Sequence, residues 1–277
     1  MRRAANTGAW LTVLPFTVNG TELGSQEWRD ALLLRYGLEP PDLPKYCDRC
    51  KAQFSISHAL GCKKGGLVTA RHNELRDGLA DLAGKDFTLS HVRDDPLIYS
   101  GRTVSRMKPT PDGSTKPNPT RETPEAPEVT EQKGDLIIRD LWQQGTASVH
   151  NMSFVNTDAL PYLKKAPEKC LHESEKGKKK MYLEACLQQR RHFSSFVASV
   201  DGLLGVKATA TLKKIASLLA TKWRQPYSKT CGYVNSRVAI TLVRAAHRCL
   251  QGSRVPAHRI SVQQPQWEDG LGINLFW

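Results

Sequence analysis

Residues 46–77 read YCDRCKAQFSISHALGCKKGGLVTARHNELRD, and within them Cys47, Cys50, His58 and Cys62 are spaced C-x2-C-x7-H-x3-C. No other stretch restricts the fold so tightly. A C-x-x-C pair presents two thiolates from one tight turn. A histidine and a cysteine four apart share one face of a helical turn, so the four side chains can close a tetrahedron around Zn²⁺. Four protein ligands leave no open coordination position, so such an ion staples a loop too short to fold unaided. The competing reading is a redox pair or coincidental clustering. A thioredoxin-type motif needs a strand–turn–helix setting and leaves His58 and Cys62 without a role. The other four cysteines, Cys170, Cys186, Cys231 and Cys249, lie far apart in segments of helical character. An odd total so scattered points to reduced thiols in a nuclear or cytoplasmic setting. The opening MRRAANTGAWLTVLPFTVNG imitates a signal sequence, but Thr12, Pro15 and Thr17 interrupt its apolar run, and export is not expected. No apolar run approaches the ~20 residues of a membrane span.

Hydrophobic periodicity orders the rest of the chain. Residues 26–38, QEWRDALLLRYGL, carry Trp28, Leu32, Leu33 and Tyr36 at helical spacing, with Gly37 as a C-cap. Residues 70–84, ARHNELRDGLADLAG, predict a helix with Leu75, Leu79 and Leu82 on one face. The stretch FTLSHVRDDPLIY reads as extended. Residues 107–132 are rich in Pro, Thr and Glu and nearly free of large apolar groups, which predicts a disordered loop. Two strands, GDLIIRDLW and ASVHNMSFVN, follow around the turn QQGT, then a basic helix, HESEKGKKKMYLEACLQQRRHF, and a short strand, SSFVASV. Two helices, KATATLKKIASLLATKW and CGYVNSRVAITLVRAAHRCLQG, close the pattern, the second apolar around enough of its surface to be buried. From residue 71 the order is helix, strand, strand, strand, helix, strand, then helices. That order predicts an α+β, α/β-layered fold with a small mixed sheet and a helical C-terminus.

Lys and Arg number 40 against 27 Asp and Glu, a formal net charge of +13. Such an excess favours a polyanionic partner, DNA or RNA above all, with a merely solvated basic surface as the alternative. Arg71, His72 and Asn73 are placed to open a helix whose unpaired N–H groups accept phosphate. The same segment also fits a plain polar helix start, with Glu74 balancing its basic neighbours. Lys176, Lys178 and Lys179, with Arg190 and Arg191, cover one helix and form a candidate phosphate-contacting surface.

The knuckle spacing, the segment GGLVTARHNELRD, the tripeptide KGD on a strand, a second strand and a Lys-rich helix bearing tyrosine together resemble a known arrangement. It is the C-terminal region of polyproteins of LINE-type non-LTR retrotransposons and of eukaryotic open reading frames derived from them, where a CCHC zinc knuckle precedes a restriction-like endonuclease of the PD-(D/E)XK class. Stretches such as KKKMYLEACLQQRRHFSSFVASVDGLLG and PQWEDGLGINLF resemble that group too, so the likeness covers residues 9–276. It implies six sections: an N-terminal helical linker (1–45), the knuckle (46–66), a first nuclease-like part (67–106), the Pro-rich loop (107–132), a nuclease-like core (133–205) and a C-terminal helical segment (206–277).

The family's chemistry can be laid on this chain residue by residue. The resemblance implies structural Zn²⁺ on Cys47, Cys50, His58 and Cys62, and Mg²⁺ bound by an Asp on one strand and an acidic residue on the next, with a Lys nearby. Lys133-Gly134-Asp135 occupies the first part, Gly standing for the family's Pro, so Asp135 is the expected metal ligand. A solvent-facing aspartate at a strand end is the alternative. The second acidic position reads Asn151, and the basic position two beyond reads Ser153. Asp158 or Glu74 is a possible replacement carboxylate, and Lys178, Lys179 or Lys180 a replacement ammonium, Lys180 being the chosen candidate. A neutral amide in place of a carboxylate weakens a hard cation, so Mg²⁺-dependent nicking of DNA is expected to be impaired. No Tyr-x-Asp-Asp run occurs, so the chain is not expected to copy RNA.

Overall fold

The computed structural model describes residues 7–86, 91–94, 96–102 and 129–254. Helix α1 (Ser25–Tyr36) begins where the Glu27 carboxylate reaches back to accept the Gly24 N–H at 2.7 Å. It ends at Gly37, whose φ of 70° lets the chain reverse while Gly37 and Leu38 donate to Leu34 and Leu33. The buried face of α1 is not the aromatic one anticipated. Asp30 and Leu34 point inward, while Trp28 and Tyr36 remain 39% and 62% exposed. An ion cluster decides this. Arg254 forks onto both Asp30 carboxylate oxygens at 2.7 Å, and His247 Nδ1 lies 2.8 Å from Oδ2. Burial works against the ionised Asp30, but the hydrogen bonds from Arg254 and His247 outweigh it and hold its carboxyl below the usual range.

A four-stranded sheet carries the centre of the molecule, in the order β1 (Val92–Asp94), β4 (Leu136–Arg139), β5 (Ala147–Val155), β6 (His192–Ser199). The first three pair antiparallel, and β5 pairs parallel with β6 through the crossover helix α4 (Pro167–Gln188). Strands β2 (Leu97–Arg102) and β3 (Val129–Lys133) form a separate antiparallel pair. The fold is thus α+β with a small mixed sheet. Residues 129–132, anticipated as the end of a loop, belong to β3, because they complete the ladder with β2. The remainder of the anticipated loop, residues 107–128, lies outside the described residues.

Both faces of the sheet are covered, which is why β5 reads as a nearly continuous buried run rather than an alternating one. Helices α3 (Leu67–Gly84), α5 (Val206–Trp223) and α6 (Tyr227–Arg254) pack on one face, where Leu75, Leu79 and Leu82 meet Leu136, Ile138, Met152 and Phe196. Each of these leucines is about 1% exposed, and burying one contributes roughly 2 kcal/mol. Helix α4 covers the other face, through Tyr182, Ala185 and Cys186 on Ile137 and Val149, and through Cys170 and Leu171 on Val155 and Val197. Helices α5 and α6, anticipated as a section of their own, complete this same core. Glycine permits the tightest approach: a Cβ at Gly78 of α3 would lie 2.8 Å from the Thr241 side chain of α6.

Candidate metal centre and the adjoining cleft

The knuckle is built locally. Tyr46 bridges Gln53, Cys47 N–H donates to Ala52 at 2.9 Å, and Lys51 N–H returns to Cys47 at 2.9 Å. This tight turn needs a left-handed residue, supplied by Lys51 at φ 63°. Ser55 then caps the one-turn helix α2 (Ile56–Ala59) by accepting the His58 N–H at 3.0 Å, and Cys62 N–H donates to the His58 carbonyl at 2.8 Å. The outcome is four donors facing one point. Cys47 Sγ is 4.0 Å from Cys62 Sγ, Cys62 Sγ is 3.9 Å from Cys50 Sγ, and Cys50 Sγ is 3.3 Å from His58 Nε2. All four ligand atoms lie within 4.8 Å of one another. Zn–S bonds of about 2.3 Å in a tetrahedron put sulfurs about 3.8 Å apart. The cluster can hold a metal such as zinc. Burial raises the Cys47 thiol, but the backbone N–H groups of Cys50 and Arg49 and the His58 side chain outweigh it, bringing it down to about 6.

The centre is fastened to the main fold. Ala59 packs with Leu34 and Leu250, and Leu60 with Val200, Ala246 and Cys249. Arg71 completes the attachment. The structure corrects its anticipated role: α3 begins at Leu67, so Arg71 to Asn73 lie in its second turn, where the N–H groups are already paired. Arg71 is 4% exposed, donates to the Leu60 carbonyl at 2.6 Å and lies over the Phe154 ring at 4.7 Å. It holds the knuckle and does not meet solvent. Asn73 is half-buried on the same helix.

His72 reaches the site of Asp135. Its Nε2 lies 3.1 Å from Asp135 Oδ2, which also accepts the Met152 N–H at 2.5 Å. Strand β4 pairs Leu136 with His150, and Asp135 N–H donates to the His150 carbonyl at 3.0 Å. Asp135 therefore lies just beyond the last pair of the ladder, held to the His150–Met152 stretch of β5. Asn151 is 3% exposed, and its Oδ1 has no hydrogen-bond partner, while its side chain bonds the Tyr182 hydroxyl. From α4 comes Lys178, partly buried, with its Nζ 5.7 Å from the Tyr182 ring centre. Burial lowers the Lys178 ammonium, and the Asp135 charge pulls the other way.

Helix geometry selects Lys178 over Lys180 here. Lys178 lies one turn before Tyr182 on the sheet-facing side, whereas Lys180 is turned to solvent together with Lys176 and Lys179. Arg190 is exposed at φ 53°, and Arg191 donates to the Leu97 carbonyl at 2.9 Å. Glu74 does not supply a second carboxylate to the cleft, since it pairs with Arg248 of α6 at 2.7 Å. Among the described residues, no third His, Cys, Asp or Glu joins Asp135 and His72 at metal-ligand spacing.

Glycine at position 134 has a local cause. Gly134 N–H donates to the Pro96 carbonyl at 2.9 Å, and a Cβ there would lie 2.4 Å from Val149 Cγ1. Strand β2 lies over the tripeptide and leaves no room for a ring. Beside it, His150 is fully buried. Ser148 Oγ donates to the Ile138 carbonyl at 3.0 Å and lies 2.9 Å from His150 Nε2. With its own proton committed, that hydroxyl accepts from Nε2–H, so Nδ1 is the bare nitrogen, and it has no partner. Burial pushes His150 down to about 4, so it stays neutral near pH 7. Neither this pair nor the Asp30 cluster was visible in periodicity, because their partners sit 2 to 224 residues apart.

No family model and no curated protein matches the chain. Among the described residues no helix is long and apolar enough to cross a membrane.

Proposed function

We propose that the chain is a retroelement-derived nucleic-acid-binding protein with a restriction-endonuclease-like core, in which magnesium-dependent cleavage is impaired. The observation that carries this reading is the sheet. In the main sheet an α3–β1–β4–β5–α4–β6 order, with three antiparallel strands and a parallel fourth, sets Asp135 at the end of β4 against the His150–Met152 stretch of β5, and its charge is felt by Lys178 of α4. That is the placement expected of a nuclease's paired acidic ligands and its lysine, with one carboxylate replaced.

Cys47, Cys50, His58 and Cys62 fit Zn²⁺ in number, type and spacing. Bound there, the ion would cross-link the Cys47–Cys50 turn to α2 and Cys62. Mg²⁺ does not fit the cleft equally well. The one carboxylate lies against a histidine, and Mg²⁺ demands hard oxygen ligands in a near-ideal octahedron. The exposed Lys176, Lys179, Lys180 and Arg190 support contact with a phosphate backbone.

Asn151 favours a second reading, a zinc-stapled binding protein with no cleavage at all. The two separate in one assay. Supercoiled DNA with Mg²⁺ is expected to be nicked at a trace rate by the parent, not at all by Asp135→Ala, and faster by Asn151→Asp. Equal rates in all three would remove the nuclease reading. DNA affinity that stays flat with salt would remove the nucleic-acid reading as well.

A further inference from the structure

We infer that the outer face of α4 is a docking surface for duplex DNA, with Gly177 as the point where a sugar–phosphate backbone comes closest. The inference rests on the nucleic-acid reading above and adds which helix meets the partner and which form the partner takes. It starts from a local defect. Gly177 lies in the middle of α4 (Pro167–Gln188), where glycine weakens a helix relative to alanine. Packing gives no reason for it. The residue is exposed, and a Cβ there would meet nothing within 4 Å. Gly78 of α3 differs in kind, because a Cβ there would lie 2.8 Å from the Thr241 side chain.

A second defect stands at the same place. Lys176, Lys179 and Lys180 are all exposed, and Lys176 repels the other two at i, i+3 and i, i+4 spacing. The carboxylates of the helix are engaged elsewhere. Glu173 is held by Lys165 at 2.7 Å, and Glu175 accepts the Lys207 N–H at 2.9 Å, at the start of α5. No ion pair joins any of the three lysines to a carboxylate among the described residues. A helix that breaks two local rules with no gain inside the fold keeps that surface for something outside it.

The charges name the partner, and their spacing names its form. Lys169, Lys176 and Lys180 fall on one side of α4 at i, i+7 and i+11, a row about 16 Å long. Cys170, Leu171 and Cys186, buried beneath the helix, hold that row rigid. A row of this length spans the ~12 Å major groove of a duplex from one backbone to the other. Lys169 meets one strand, and Lys176 and Lys180 meet the other, with Gly177 between them. A single strand finds no stacking platform here. The helix carries no Phe or Trp, and its one tyrosine, Tyr182, is stacked on Phe193 of β6.

The test uses the full chain with its knuckle loaded with zinc, titrated with a ~20-base-pair DNA duplex at several salt concentrations. Gly177→Ala and Gly177→Leu install better helix formers, so both should melt about 2 °C or more above the parent. Both should nevertheless bind the duplex more weakly, about 5-fold for alanine and about 30-fold for leucine. The salt slope should stay unchanged, since no charge is removed. Gly232→Ala is the control: that glycine is exposed in α6 and equally open, so it should gain stability and bind as the parent does. A single strand of the same length should bind more weakly and ignore Gly177→Leu. Unchanged duplex affinity in Gly177→Leu would overturn the inference, while a parent whose affinity still falls with salt keeps the nucleic-acid reading. Equal losses in Gly232→Ala and Gly177→Ala, or a single strand as sensitive as the duplex, would overturn it too. A parent that binds no duplex ends both.

Discussion

The knuckle and the Asp135 cleft are two clusters of polar side chains on one chain, and they differ in how they are assembled. The knuckle draws four donors from 16 consecutive residues and brings all of them within 4.8 Å. The cleft draws on α3, the β4 edge, β5 and α4, and among the described residues no third His, Cys, Asp or Glu joins Asp135 and His72 at metal-ligand spacing. A site built inside one turn stands or falls as a unit, since losing one thiolate removes the fold of the loop. A site assembled from four elements that the core holds in place survives the loss of a ligand, because Leu75, Ile137, Val149 and Cys186 keep their packing whatever Asn151 carries. Substitution is therefore tolerated in the cleft and not in the knuckle.

The largest expected effect tests that asymmetry directly. Cys50→Ser should bring zinc per chain close to zero by elemental analysis and lower the melting temperature by about 10 °C or more. Ala59 and Leu60 would lose their seat against Leu34, Leu250 and Cys249. Asn151→Asp should leave the melting temperature within a few degrees. Equal losses in both variants would end the contrast.

Acid offers the next test. His150 is held neutral with its folded value near 4 against an unfolded value of 6.5. Its value is depressed on folding, so its contribution is fully present above pH 6.5 and is lost as pH falls toward 4. Over that window the unfolded chain binds the extra proton, and the loss amounts to about 3 kcal/mol. Zinc release adds a slope of its own, so parent and His150→Leu are compared with the knuckle loaded in both. The parent's denaturant midpoint should fall relative to that of His150→Leu as pH drops from 6.5 to 4. Parallel curves would mean that His150 titrates normally.

Gly134→Pro should destabilise, because it removes the N–H given to Pro96 and drives a ring into Val149. A cost of about 2–4 kcal/mol is expected in urea unfolding. A stabilised variant would show that β2 does not clamp the cleft.

What the sequence could disclose follows the same division. The four knuckle ligands were legible because their spacing is itself the geometry. The helix order and the strands β4, β5 and β6 were legible from periodicity, down to Gly37 as the C-cap of α1, but the division of one extended stretch into β1 and β2, and β3 itself, were not. The inward face of α1 was not, since pairing with Arg254 and His247 overrides the hydrophobicity of Trp28 and Tyr36. Arg71 was misread because a helix start three residues earlier moves it from an open N-terminus to a buried turn. The likeness to retroelement nucleases and the role of nucleic acid remain proposals that geometry supports, not features any local pattern could establish. Lys178, by contrast, had a readable signal: it stands four residues before Tyr182 and eight before Cys186, whereas Lys180 falls on the opposite side of the helix.

That pair of lysines gives the smallest and sharpest test. Lys180 is exposed, so Lys180→Ala should weaken DNA only a few-fold and reduce the salt slope by about one. Lys178 is partly buried beside the Tyr182 ring and near Asp135, so its removal should leave the salt slope unchanged. If Lys178 instead carries the salt slope, phosphate enters the cleft and lies against Asp135, and the contrast between a sealed knuckle and a cleft built from distant elements gives way to a single continuous nucleic-acid surface.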